Sequence, residues 1–239
     1  MSKIKQFKNG FKNGIPIFLG YLAVAFTFGI AARKSGLSSL EAIAVSATNL
    51  TSAGQFAALE VIATSASLIE MALTQLVINL RYCLMSSSLS QRIDPRLPSF
   101  HRYFIAFGVT DENFGVASAY PQENVPPAYF YGIMAAAIPG WVSGTALGAV
   151  LGDVLPASIL SALGVALYGM FIAIIVPPAK NNRVLLGIVS ISMLLSLVFA
   201  TTPVLREIST GFRVIILTVV IAGAAAYLFP VKEEDAQNE

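Results

Sequence analysis

The chain has 239 residues, of which 56% are hydrophobic and only 12% charged, and its mean hydropathy is +0.73. A soluble domain carries about 25% charged residues, so an ordinary soluble enzyme is excluded. The net charge of +2 is too small and too scattered for nucleic-acid binding. These values predict an all-α, polytopic integral membrane protein that forms one transport domain over residues 1–239.

Lys3, Lys5, Lys8 and Lys12 make a basic arm over residues 1–12, followed by an uncharged stretch from Asn13 to Ala32. A signal peptide also begins this way, but here the apolar stretch is of full spanning length and others follow it. It is read as a retained first helix, with the lysines holding the N-terminus in the cytoplasm of a bacterial cell, at the inner membrane.

The second apolar segment, roughly Ser39 to Thr64, contains the most informative feature. No charge interrupts Ala42 to Leu59, yet the middle reads Thr48-Asn49-Leu50-Thr51-Ser52-Ala53-Gly54-Gln55. Lipid cannot satisfy two carboxamides and three hydroxyls, so these groups must face protein, water or a ligand. Small polar residues around a glycine suit a broken or re-entrant helix whose freed backbone binds a polar solute. Thr48, Asn49, Thr51, Ser52, Gly54 and Gln55 are therefore candidate substrate-binding residues, with Phe56, Phe26 and Phe28 as candidates for an apolar lining. Asn49-Leu50-Thr51 matches a glycosylation sequon but lies at membrane depth and is discounted.

A third span covers Leu68 to Ser88 and carries Asn79 and Arg81, further candidates for the substrate site. An arginine at bilayer depth costs several kcal/mol unless paired or hydrated. It either snorkels to the headgroups or fixes a carboxylate, that of the substrate or of Asp111 or Glu112. The region 91–127 is a long connection, rich in charge and proline, with one short apolar piece at Tyr103–Val109 expected as a half-helix. Asp111 and Glu112 follow that piece. With Glu60 and Glu70, which interrupt apolar sequence, they are the candidates for proton coupling.

Further spans are expected near 128–152, 155–178, 183–202 and 212–230, with a polar tail at 232–239, giving about six to seven crossings. Seven full crossings would leave Arg92, Arg96, Arg102, Lys180 and Arg183 outside; a re-entrant second segment brings them inside. Both topologies stay open. Gly140, Gly144, Gly148 and Gly152 recur every fourth residue and form a flat face for close helix packing, within the chain or with a partner. Gly20-Tyr21 with Gly29 echoes Gly140-Trp141 with Gly148, a weak sign of duplicated halves. Cys83 is the lone cysteine and His101 the lone histidine, and no phosphate loop is present. No cofactor or metal is expected, and the chain is not read as an enzyme. The alternatives are a carrier or channel for another small carboxylate or amine, a membrane-embedded enzyme, or a scaffold.

Several short motifs, in order, carry a family resemblance: Gly14-x-Pro16, Phe26-x-Phe28-Gly29, Gly36-Leu37-Ser38, Ala53-Gly54-Gln55-Phe56, Asn79-Leu80-Arg81, Ser88-Leu89 and Thr110-Asp111-Glu112-Asn113-Phe114. The chain resembles the AzlC family, the large subunit of branched-chain amino-acid exporters. It departs from the family pattern at Tyr82, where a histidine is frequent, and in the adjacency of Gly54 and Gln55. The resemblance implies export of leucine, isoleucine, valine or similar amino acids, driven by the proton gradient. It also implies a small hydrophobic partner subunit of the AzlD type.

Overall fold

The structure is a computed structural model that describes residues 2–122, 124–152 and 182–229, with Ser158, Val165, Ile172, Val176, Ala179 and Lys180. All regular elements among the described residues are helical. They are α1 (Lys3–Lys34), α2 (Ser39–Thr48), α3 (Ala53–Ala63), α4 (Leu68–Gln91), α5 (Phe100–Phe107), α6 (Asp111–Ser118) and α7 (Pro127–Leu151). Two more follow, α8 (Arg183–Thr201) and α9 (Thr210–Leu228), joined through a single 3-10 turn at Leu205–Glu207. Five of these, α1, α4, α7, α8 and α9, are long and apolar enough to cross a membrane. The chain is thus a polytopic α-helical membrane protein. Of the span expected at 155–178, only Ser158, Val165, Ile172 and Val176 are described, and the tail at 232–239 lies outside the described residues.

The second apolar segment is broken, as its composition predicts. At about 1.5 Å per residue, neither the 10 residues of α2 nor the 11 of α3 crosses a hydrocarbon core about 30 Å thick. The start of α2 is fixed by a capping box. Ser38 Oγ accepts from the Glu41 N–H at 3.2 Å, and Glu41 Oε2 accepts from the Ser38 N–H at 2.7 Å. Gly36, with φ +94°, makes the left-handed turn out of α1 that a side chain would resist. The Gly36-Leu37-Ser38 motif is therefore a stop signal followed by a start signal.

The chain divides into two compact units, Met1–Leu59 with Asn79–Met170 and Glu60–Ile78 with Phe171–Glu239. In the first, α1 lies along α7 at a separation only glycine permits. A Cβ added to Gly140 would sit 2.6 Å from the Phe18 carbonyl oxygen, and one on Gly144 2.6 Å from that of Leu22. Gly148 meets Phe26 in the same way, while Gly10, Gly14 and Gly29 on α1 press on the backbone of α7. Lipid is as apolar as these side chains, so close backbone packing is what holds such a pair together. Residues 3–12, expected as an arm, are the first turns of α1, and Gly10 among them is buried against Tyr129. Gly152 caps the end of α7 and meets Ile30.

The connection 91–127 holds two short helices, α5 and α6, secured by two arginines. Arg92 donates to the carbonyls of Ser118, Tyr120 and Gln122, at 2.6, 2.9 and 2.6 Å. Arg102 donates to the Ser90 carbonyl and hydroxyl near the end of α4. In the second unit α8 packs against α9. There Glu70 is buried and accepts from the hydroxyl of Ser209, the residue that caps α9.

Candidate functional site

The break between α2 and α3 opens onto a cavity of about 280 Å³. Thr48, Asn49, Leu50 and Thr51 form one wall, Asn79 and Tyr82 of α4 a second. Ala106, Phe107 and Val109, from the end of α5 and the turn after it, form the third. The break has a defined geometry. Asn49 ends α2 in an extended conformation, and its Oδ1 accepts from the Thr51 N–H at 3.0 Å, an Asx turn. Ser52 then takes φ +47°, a left-handed conformation that costs a non-glycine residue roughly 1–3 kcal/mol. The hydroxyls of Thr51 and Ser52 are buried with no hydrogen-bond partner among the described residues. At the helix ends beside them, the Thr48 hydroxyl donates to the Ala44 carbonyl at 2.8 Å, and the Gly54 and Phe56 N–H groups donate to the carbonyls of Thr51 and Ser52 at 3.3 and 3.0 Å.

Gln55 does not line the cavity. It points away, toward α7, and is 1% exposed. Its Oε1 accepts from Trp141 Nε1 at 3.0 Å, and its Nε2 donates to Ser46 Oγ at 3.1 Å. Ser46 in turn shares a 2.7 Å bond with Thr145, whose hydroxyl also donates to the Trp141 carbonyl. One carboxamide thus ties both sides of the break to the α7 scaffold. Trp141 meets the Tyr21 ring edge-on at 5.3 Å.

A second polar cluster joins α1, α4 and α6. Arg81 lies more than two turns from either end of α4 and forms an ion pair with Asp111 at 2.6 Å. The same guanidinium lies over the Tyr82 ring, 5.1 Å from its centroid. The Tyr21 hydroxyl lies 2.6 Å from both Glu112 Oε2 and Thr110 Oγ1. Thr110 caps α6 by accepting from the Asn113 N–H, and Asn113 Nδ2 donates to the Gly108 carbonyl at 2.8 Å. Both carboxylates sit in the first turn of α6, where the helix dipole favours negative charge.

Of the residues expected at the site, Thr48, Asn49, Thr51 and Asn79 line the cavity, and Ser52 borders it in sequence. Gly54 is buried in the first turn of α3, its N–H 3.3 Å from the Thr51 carbonyl. Arg81, Asp111 and Glu112 form the second cluster. Phe56 instead meets Phe28 edge-on at 5.5 Å, inside the packing, and Phe26 offers its backbone to Gly148. The apolar wall comes from Leu50 and the α5 end. Glu60 and Glu70 belong to the second unit. The row Gly140, Gly144 and Gly148 faces α1.

These features define a polytopic α-helical membrane protein with a polar break in one apolar segment. The chain matches the family model described as AzlC protein over residues 16–155, which includes the break, the Arg81–Asp111 pair and the α1–α7 contact. It belongs to the AzlC family of membrane proteins. It is 34% identical over 186 residues to an uncharacterized membrane protein of Archaeoglobus fulgidus, covering 77% of this chain and 81% of that one. It is also 34% identical over 184 residues to Inner membrane protein YgaZ of Escherichia coli, covering 74% and 75% respectively. No solved structure matches the chain.

Proposed function

We propose that the chain is a secondary transporter that exports branched-chain, apolar amino acids across the cytoplasmic membrane. In this reading the N-terminus lies in the cytoplasm, the proton gradient drives export, and a small hydrophobic subunit of the AzlD type completes the transporter. The observation that carries the reading is the cavity at the break. A zwitterion needs donors for its carboxylate, acceptors for its ammonium and an apolar surface for its side chain. The Thr51 and Ser52 hydroxyls, beside the positive end of the α3 dipole, would serve as donors, the second lone pairs of the last α2 carbonyls as acceptors, and Leu50 as an apolar contact. The volume, about 280 Å³, is at the small end of ligand pockets and suits a single amino acid better than a peptide.

The Arg81–Asp111 pair supports the coupling. A proton delivered to Asp111 would neutralise it and break its ion pair with Arg81, so the charge of the α4–α6 contact beside Tyr82 and Asn79 would follow proton binding. The glycine row on α7 is occupied by α1, so the small subunit would use a different surface.

Efflux from cells preloaded with labelled leucine tests the reading, in strains with and without this chain and the small membrane protein. Faster leucine efflux that needs both chains is the expected result. Leucine efflux unchanged by removal of this chain, in a strain without other exporters, refutes it. Faster efflux of a small carboxylate or amine instead would move the chain to the alternative substrate class.

A further inference from the structure

We infer that the end of α5 and the turn after it, through Ala106, Phe107 and Val109, act as the gauge that decides which side chains the cavity accepts. The inference rests on the proposed transport reading and names its specificity determinant. Two of the cavity's walls, the break and the Asn79–Tyr82 stretch of α4, are largely polar and offer themselves to the charged end that all amino acids share. Leu50 and the three α5-end residues are what the variable side chain would meet. A methyl, a phenyl ring and an isopropyl group make a short apolar wall. Such a wall would receive a branched aliphatic chain, and the Phe107 ring on it would set the limit for a larger, aromatic one.

A gauge must hold its place, and α5 is anchored through His101, Arg102 and Ile105 and through the turn after it. Arg102 ties it to the carbonyls of Ser90 and Ile93. The ring nitrogen Nδ1 of His101 lies 2.7 Å from the Tyr131 hydroxyl on α7. Ile105 and Val109 are buried in the core. Gly108 packs so closely on Met134 that a Cβ there would lie 2.6 Å from the sulfur, and its carbonyl is held by Asn113. The Asn113 link joins the gauge to α6, the helix that carries Asp111 and Glu112. The Phe107 side chain itself is only partly covered, at 46% exposed, so trimming it removes little core packing. A pocket wall fixed in this way discriminates by size, and one methylene in a hydrophobic pocket changes selectivity by roughly 10- to 200-fold.

The test is efflux of labelled leucine, valine, alanine and phenylalanine from preloaded cells that express the full chain with its small subunit. Phe107→Ala is expected to raise phenylalanine efflux relative to leucine by about tenfold or more. Ala106→Val, a change in the opposite direction that requires no tolerance of an enlarged cavity, is expected to lower leucine relative to alanine. Phe104→Ala removes an exposed ring of the same helix that does not line the cavity, and is expected to keep the wild-type ratios. If the wild type exports leucine while Phe107→Ala and Ala106→Val both keep its substrate ratios, the gauge is overturned and the transport reading stands. If the wild type exports none of the four, the transport reading fails, and the gauge with it.

Discussion

Gln55 provides the sharpest test of how the broken segment is held. Gln55→Leu keeps the size of the side chain and removes its polar end. Trp141 is 1% exposed, so its indole N–H would find no water to replace the lost carbonyl. A buried donor left unsatisfied costs about 1–3 kcal/mol. Ser46 loses one bond but keeps Thr145 at 2.7 Å, a loss of about 0.5–1.5 kcal/mol. The burial of added apolar surface offsets about 1 kcal/mol, which leaves a net destabilisation of about 2 kcal/mol. Trp141→Phe removes the donor and keeps a ring against Tyr21. In the double variant no orphan N–H remains, so the combined loss should fall short of the sum of the single losses by about 1 kcal/mol. The assay is reversible unfolding of the four proteins in detergent, with leucine efflux measured in parallel. Strictly additive losses would refute the Gln55–Trp141 link. A fully stable and active Gln55→Leu protein would show that the break does not depend on it.

Three further outcomes are expected. Arg81→Gln leaves Asp111 unpaired, and adding Asp111→Asn should recover about 1 kcal/mol of stability, modest because both side chains are partly exposed; unfolding of both single variants and the double variant measures it, and recovery of transport is not expected. Gly144→Leu drives a side chain into the Leu22 carbonyl and should abolish membrane accumulation. Gly20→Leu, where an added Cβ meets nothing within 4 Å, should accumulate normally on an immunoblot of membranes. Arg92→Met removes the donor from three carbonyls of the α6–α7 connection, and limited proteolysis should cut faster between Tyr120 and Gln122.

Much of this arrangement was legible in local sequence. The break follows from polar groups that lipid cannot satisfy, and it falls at Asn49–Ser52 because Asn49 makes an Asx turn and Ser52 tolerates a left-handed backbone. The cost of an isolated charge leaves Arg81 to snorkel, to meet a substrate or to pair with the acids after the half-helix, and the fold shows the pair, with Asp111 30 positions away. Periodicity alone could not say what covers a face. The glycine row reads as a packing surface from its spacing, but only the fold names α1 as its partner. The apolar wall was sought in Phe56 because it adjoins Gln55. On a helix, neighbouring residues point about 100° apart, and neither of these two faces the cavity. Phe107 lies outside every polar motif, and Trp141 and Thr145 sit on a helix that reads as glycine packing. Their long-range contacts left no local signal beyond two buried groups with polar ends. The half-helix begins at Phe100 rather than Tyr103, since His101 and Arg102, which reduce its hydropathy, are its anchors to Tyr131 and Ser90.

The central claim, that the cavity at the break holds an apolar amino acid, is tested most directly by substrate protection. With the lone Cys83 replaced by serine, Thr48→Cys places a thiol on the cavity wall, and Lys34→Cys places one at the exposed end of α1. The account predicts that leucine slows alkylation of the Thr48 variant in membranes where it still exports leucine, and leaves the Lys34 variant unchanged. An alkylation rate at position 48 that does not respond to saturating leucine, in protein that continues to export it, would contradict the account and place the substrate elsewhere.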